Sequence, residues 1–245
     1  MAAPKDNSDG AAAPRVHYSD NPSIFPLEGG CACGRVRYRV EKAPLIVHCC
    51  HCTVCQRETG SAFALNAVIE SPNVTALPPT KKVTSPPCPA RPTEQKPVGP
   101  PLAPDDDGGS IVEPSMIRNP SESGFGQMFA RCPTCATAIW SYYAGAGPVL
   151  KFVRVGTLDR AWEIAPDVHI FTESKRDFVS LDDGKPQYGY FYATKDEVYR
   201  KEALQRWAAV EGDVAKYREE KRRLGPKFWE TWARERKSGT QRAVL

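Results

Sequence analysis

Three groups of cysteines, far apart along the chain, constrain the fold more than any other feature of this sequence. The first is Cys31 and Cys33, the second lies within residues 49–55, and the third is Cys132 and Cys135. Alternate side chains of an extended segment point the same way, and a short turn brings its two ends together. Thiolates at these spacings can meet one ion, so we expect the chain to fold around bound metal.

Zinc is the metal that this ligand set favours, because it is a borderline-soft cation without redox chemistry and prefers four ligands. Two cysteine pairs complete one tetrahedron. We therefore expect a closed structural zinc site made by Cys31, Cys33, Cys132 and Cys135. Such a site would join distant parts of the chain and contribute about 10 kcal/mol or more to folding.

The middle group supplies three ligands to a second zinc: Cys50, Cys52 and Cys55. Three protein ligands leave the fourth position to water or substrate, which is typical of a catalytic zinc that binds and ionises a thiol. Two alternatives stay open. The cysteines are small buried hydrophobic residues, or a fourth ligand, such as Cys49 or a histidine, closes the site. Cys49 and His51 are expected to point to the opposite face from Cys50 and Cys52.

His169 is the other candidate for chemistry. It lies in a short predicted strand, residues 167–171. A histidine on a strand is either a structural residue or a hydrogen-bond partner and acid/base group beside the open zinc. Asp159 and Arg57 carry the same ambiguity, with a turn cap and a surface charge as the simpler interpretations.

Strand patterns dominate the first two thirds of the chain. Val36, Tyr38 and Val40 alternate with three arginines, which predicts a half-buried strand. Further strands are predicted at residues 45–47, 62–69, 138–143, 149–155, 167–171 and 178–181. From about residue 195 the apolar period becomes helical, and Pro226 interrupts a second helical stretch.

The chain divides by composition into three parts. We expect a disordered arm over residues 1–22, a zinc-binding domain over 23–195 and a basic helical extension over 196–245. Thirteen of the 49 residues from 72 to 120 are proline, which denies donors to a sheet and blocks helices. This stretch is therefore predicted to be a long surface insertion.

Charge and hydropathy exclude some classes of function. The net charge is +4, and an excess of that size lies in the C-terminal helices alone, so a nucleic-acid partner is not expected. No apolar run reaches the ~18 residues needed to span a membrane, and the N-terminus does not look like a secretory signal. A cytoplasmic location is expected, where the nine cysteines stay reduced.

The ordered cysteine motifs resemble those of the glutathione-dependent formaldehyde-activating enzyme family, which also contains centromere protein V. The resemblance spans roughly residues 25–195 and rests on three motifs: Gly30 to Gly34, Cys50 to Phe63 and Arg131 to Cys135. The stretches 121–129, 138–143, 156–159 and 169–171 support it. The sequence departs from the family at Ala136, where glycine is usual, at Phe178, where tryptophan is frequent, and in its long insertion.

The resemblance implies a mainly β fold of small twisted antiparallel sheets around the four-cysteine zinc, followed here by C-terminal helices. It implies a carbon–sulfur lyase that adds glutathione to formaldehyde, with Cys50, Cys52 and Cys55 on the catalytic zinc. We expect His169 to shuttle the proton in this reaction. Two other functions remain open. One is a non-catalytic zinc module that binds a macromolecule, and the other is an enzyme of secondary metabolism that acts on a larger thiol conjugate.

Overall fold

The structure, a computed structural model, describes residues 16–80, 110–121 and 125–237. Ten strands and three helices lie in these residues, and several connections contain a single 3₁₀ turn. The strands are β1 (Leu27–Gly30), β2 (Arg37–Val40), β3 (Ile46–Cys50), β4 (Ala64–Glu70), β5 (Val74–Leu77), β6 (Ser115–Asn119), β7 (Gln127–Arg131), β8 (Ala138–Tyr143), β9 (Leu150–Arg154) and β10 (Val168–Ile170). The helices are α1 (Thr53–Thr59), α2 (Lys201–Leu224) and α3 (Phe228–Lys237).

These strands form two sheets. β1, β2 and β5 make a three-stranded sheet, and the other seven make a larger one in the order β10-β3-β4-β9-β8-β7-β6. Neighbours in the larger sheet run antiparallel, except that β10 lies parallel to β3. The predicted mainly β fold with C-terminal helices is confirmed, with the difference that the larger sheet is mixed.

The larger sheet buries side chains on both of its faces. Along β3, Val47 packs on one face in the same cluster as Tyr38 of the small sheet. Its neighbour Ile46 packs on the other face in the same cluster as Trp207 of α2. This division follows from the two-residue period of a strand. Burial of each such side chain stabilises the fold by about 1.5–3 kcal/mol, so both layers hold the sheet in place.

Helix α2 covers the second face of the sheet. Trp207 and Val214, two turns apart, are buried on the stripe that it turns inward. Arg206 donates from Nε to a carboxylate oxygen of Glu70 on β4 at 2.9 Å. A 3₁₀ turn, Gly225–Lys227, separates α2 from α3 at the predicted break. The helices of the C-terminal extension therefore belong to the same core as the cysteine-bearing strands.

The predicted strand over residues 178–181 is wrong. These residues form a turn and irregular backbone, and Phe178 is 80% exposed. The open edge of β10 is taken by a later segment instead, because Gln187 forms a bridge with His169. The amide of His169 also donates to the carbonyl of Pro186 at 2.9 Å. With that edge occupied, residues 178–181 pair with none of the described strands.

Two predicted boundaries are also corrected. Order begins well before residue 23, because the buried Tyr18 donates its hydroxyl to Asp167; residues 1–15 lie outside the described part of the chain. The expected insertion at 72–120 is too wide, since β5 and β6 fall inside it and pair with β2 and β7. Only its middle, residues 81–109, lies outside the described residues, and Cys88 lies there.

Candidate metal centres

Four cysteines meet where two turns from different sheets approach each other. Cys31 and Cys33 lie in the turn between β1 and β2, and Cys132 and Cys135 lie in the turn between β7 and β8. The Sγ atoms of Cys31 and Cys33 are 3.5 Å apart, and those of Cys33 and Cys132 are 3.7 Å apart. Four sulfurs about 2.3 Å from a zinc ion would be separated by about 3.8 Å, so this set fits a tetrahedral zinc.

Backbone amides support these sulfurs. The amide of Val36 donates to Cys31 Sγ at 3.3 Å, and the amide of Thr134 donates to Cys132 Sγ at 3.4 Å. Burial raises the pKa of the Cys31 thiol, so a thiolate there needs a cation close by. Donors of this kind suit sulfurs that carry negative charge, as metal-bound thiolates do.

Ala136, where the resemblance leads us to expect glycine, adopts the conformation that glycine would take. Its φ is 59°, in the left-handed region, and its amide donates to the carbonyl of Cys132 at 3.0 Å. The turn that presents Cys132 and Cys135 is therefore retained, at the expense of backbone strain in a residue with a Cβ atom.

Three further cysteines meet where β3 passes into α1. Cys50 is the last residue of β3, Cys52 is the cap residue of α1, and Cys55 lies in its first turn. Their three sulfurs lie within 4.8 Å of one another. The amide of Cys55 donates to Cys52 Sγ at 3.3 Å. The start of the helix thus folds the third sulfur back toward the first.

The electrostatics of this trio favour one thiolate. The pKa of Cys52 lies well below its ordinary value, chiefly because of a hydrogen bond from Cys50 and secondly because of one from Cys55. The pKa of Cys50 is raised, chiefly because its proton is used in the bond to Cys52. A divalent cation bound by all three sulfurs would take the place of those shared protons. The ligand type and the spacing both fit zinc.

A cavity of about 700 Å³ opens beside the trio. Cys50 and Cys52 line it, together with side chains from β4, β9 and α2. Among the described residues, none of the four cysteines of the first group lines this cavity. The two candidate centres therefore differ: one is enclosed by four sulfurs, and the other has three sulfurs beside open space.

The structure does not place His169 in this cavity. His169 points to the opposite face of the sheet, where its Nδ1 lies 3.1 Å from Nε2 of His51, and its Nε2 lies 3.0 Å from Asp183 Oδ2. Cys49 Sγ is 3.5 Å from the same nitrogen of His51. The prediction that His169 lies beside the open zinc is corrected by this geometry, because Ile170, and not His169, shares the face of Cys50.

The same geometry tests the alternative in which Cys49 or a histidine is a fourth ligand that closes the three-cysteine site. Cys49, His51 and His169 form a buried group of their own, with their ligand atoms within 4.8 Å of one another. This places Cys49 and His51 on the face away from Cys50, as their positions along the strand predict. Among the described residues, neither Cys49 nor His51 is placed to be a fourth ligand of the trio.

The histidine that does line the cavity is His48, which the sequence analysis did not select. Its Nε2 lies 2.9 Å from the hydroxyl of Tyr192, and burial lowers its pKa to about 4. His48 is two residues before Cys50 on the same strand, so the alternation that pairs Cys50 with Cys52 also predicts that His48 shares their face. The position of His48 was therefore predictable from the alternation of side chains along this strand.

Asp159 and Arg57 take different places. Asp159 forms an ion pair with the buried Arg37, with Arg37 Nη1 2.9 Å from Asp159 Oδ1, and so it joins β2 to the turn after β9. Arg57 lies on α1 beside a shallow surface depression, away from the cavity. Neither residue lines the cavity next to the trio.

Comparison with known proteins assigns the chain to a family. A family model described as glutathione-dependent formaldehyde-activating enzyme matches residues 26–91 and 110–174, which is more than half of the chain. The chain belongs to this family. All seven cysteines of the two centres lie within the residues that match the family, and α2 lies beyond them.

Other comparisons add less. No curated protein matches the chain. Among solved structures, the crystal structure of a Rhodobacter sphaeroides protein is similar over 66% of this chain and 99% of its own, with 14% sequence identity and a TM-score of 0.33. In the described part of the chain, no helix is both long enough and apolar enough to cross a membrane.

Proposed function

We propose that this member of the family is a zinc-dependent carbon–sulfur lyase. It would add a thiol, such as glutathione, to a small aldehyde, or cleave the adduct. One zinc would be structural at Cys31, Cys33, Cys132 and Cys135, and one would be catalytic at Cys50, Cys52 and Cys55. Because both sites need reduced cysteines, the proposal fits a reducing compartment such as the cytoplasm.

The observation that carries this proposal is the contrast between the two centres. The four-cysteine set supplies a complete ligand shell, whereas the three-cysteine set has no fourth ligand among the described residues and lies beside the cavity. An open coordination position next to a cavity is the arrangement of a catalytic zinc. When bound there, zinc would supply a charge that holds an incoming thiol as its thiolate.

The reaction needs a place for one proton. As the carbon–sulfur bond forms, the carbonyl double bond becomes single, and the proton of the thiol passes to the carbonyl oxygen. The reverse reaction breaks the same bond and returns the proton. In place of His169, we propose that His48, hydrogen-bonded to Tyr192 and facing the cavity, stays neutral and orients the carbonyl oxygen that receives this proton.

Metal stoichiometry tests the division of roles. Native mass spectrometry should find two zinc ions per chain in the wild type and one in Cys52→Ala, with the fold kept. Cys49→Ala is the matched control: it removes the preceding cysteine from the other face of β3 and should leave two. A wild-type chain with one zinc, or a Cys52→Ala chain that retains two, would overturn the proposal.

Activity is tested separately. Wild-type protein with glutathione and formaldehyde should speed adduct formation, measured by NMR exchange, and Cys52→Ala should not. Rates equal to the uncatalysed background in the zinc-loaded wild type would reject this activity. They would leave the two metal sites as a separate question.

A non-catalytic module that binds nucleic acid is disfavoured by the charges on α2. Some of its basic residues are paired with acidic residues one turn away, as in Lys216 with Asp213 at 2.8 Å and Arg222 with Glu219 at 2.5 Å. A nucleic-acid surface presents unbalanced positive charge to the phosphates. The helix offers a mixed surface instead.

A further inference from the structure

The cavity beside the three-cysteine centre is built largely from apolar side chains. Val68 on β4 and Leu150 and Phe152 on β9 form its floor, and Phe171 and Phe191 come from the connections after β10. At about 700 Å³, its size is that of a site for an organic ligand of drug-like size. Glutathione would also fit by volume, so the chemistry of the walls decides what is bound.

The charges around the cavity match the carboxylates of glutathione but not its ammonium group. That tripeptide carries two carboxylates and one ammonium group. Of the described residues that line the cavity, Lys195 and Arg218 alone carry a full charge, and both are basic. Lys195 Nζ already lies 4.0 Å from the centre of the Trp207 ring, and Arg218 Nε donates to the carbonyl of Gly145 at 2.9 Å. No acidic side chain lines this described cavity to pair with an ammonium.

One aromatic residue of the cavity wall, Phe171, has an unusual backbone conformation. Phe171 has φ 58°, in the left-handed region, and its amide donates to the carbonyl of Tyr190 at 2.7 Å. Strain of this kind in a residue with a large side chain is maintained where the surroundings fix it, and it is concentrated at ligand sites. The ring of Phe191, half exposed, lies 6.4 Å from that of Phe171 and 4.2 Å from that of Tyr192. A flat apolar ligand would cover these rings.

The wall of the cavity near α2 is formed by residues that follow the family match in the sequence. Trp207 and Arg218 belong to α2, and Tyr192 and Lys195 precede it, whereas the family match ends at residue 174. The zinc-binding residues are thus shared with the family, while much of the surface that selects the substrate belongs to this chain's own C-terminal region.

From these observations we propose that the preferred thiol of this site carries an apolar body of aromatic size and no ammonium group, and that its acidic group lies near Lys195 and Arg218. The proposal rests on the proposed function for the position of the sulfur. It goes beyond it in naming the preferred thiol: glutathione would react here but would bind more weakly. Aromatic contacts with the ligand at Phe171 and Phe191 would supply much of the discrimination.

Calorimetric titration of the zinc-loaded full chain tests the inference. The probes are 4-(mercaptomethyl)benzoic acid and glutathione. We expect the aromatic thiol to bind at least tenfold more tightly. Phe191→Ser should weaken its binding about tenfold, and the matched control Tyr190→Ser, which alters a neighbouring exposed ring that does not line the cavity, should leave it unchanged. Equal affinities for the two thiols would overturn the proposal, as would equal effects of the two variants.

A thioether probe separates this inference from the proposed function. The S-methyl derivative of the aromatic thiol keeps the apolar body but cannot form a thiolate. We expect it to bind Cys52→Ala and the wild type with similar affinity, and to lose about tenfold in Phe191→Ser. If this holds and no adduct formation is catalysed, the cavity proposal stands and the proposed function fails. If Phe191→Ser does not weaken thioether binding while adduct formation is catalysed, the proposed function stands and the cavity proposal fails.

Discussion

At the scale of single residues, the grouping of the seven cysteines was predicted, and the position of His48 in the cavity wall was not. Cysteine spacing carries its own geometry, because one intervening residue in an extended segment or two in a turn bring two sulfurs to one side. The face taken by His169 depends on which strand pairs with β10 and in what register, and neither is written in local sequence. His48 was accessible to the same alternation argument that placed Cys50.

Ala136 supports a prediction about stability. Its φ of 59° is one that glycine adopts without strain, so Ala136→Gly should increase the free energy of unfolding by about 1 kcal/mol. Urea denaturation of the zinc-loaded protein measures this change. Gly60, with φ 61°, offers the opposite substitution, and Gly60→Ala should destabilise the protein by a similar amount. A loss of stability in Ala136→Gly would contradict the interpretation.

The hydroxyl of Tyr18 gives a second prediction. It donates to the carboxylate of Asp167, which also accepts from the amide of Val47 at 2.7 Å. Tyr18→Phe removes one charge-assisted hydrogen bond in a buried place and should lower the free energy of unfolding by about 2 kcal/mol. Tyr190→Phe, on an exposed ring, should change it by less than about 0.5 kcal/mol. Equal effects in urea denaturation would contradict the role given to Tyr18.

At the scale of elements, alternation predicted β2, whereas the composition of residues 72–120 concealed two strands. β5 and β6 were hidden in a proline-rich stretch, although each pairs with a neighbour along its whole length. Residues 178–181 looked like a strand but have no partner, because the edge of β10 is occupied by residues near Gln187. Strand formation is decided by the partner as much as by the segment.

Helix α2 gives a prediction at this scale. Val214 is 1% exposed and packs in the cluster under the larger sheet. Val214→Ala removes two buried methyl groups and should lower the free energy of unfolding by about 2 kcal/mol. Lys216→Ala, on the solvent face of the same helix, is the matched control and should change it by less than about 0.5 kcal/mol. If the two variants unfold at the same urea concentration, α2 does not contribute to the core as described.

At the scale of the whole molecule, the four-cysteine centre joins parts of the chain about a hundred residues apart and connects the two sheets. This much was predictable, because the ligand count requires the first and third groups to meet. The cavity was not, since its walls come from β4, β9 and a helix after the zinc-binding region, and only the folded chain brings them together.

Metal removal should therefore have unequal effects at the two centres. Cys132→Ser leaves an incomplete structural shell and should lower the melting temperature by more than about 10 °C, because structural zinc contributes several kcal/mol to folding. Cys52→Ser disturbs only the open site and should lower it by less than about 4 °C. Differential scanning calorimetry with excess zinc measures both. Similar shifts in the two variants would mean that the centres do not divide into structural and open.

Cys49 and Cys50 are adjacent in β3, yet one belongs to the buried histidine group and the other to the cavity. A single residue gained or lost earlier in that strand would exchange their surroundings, along with those of His48 and Val47. Evolution can therefore vary this strand by replacing residues but not by changing its length.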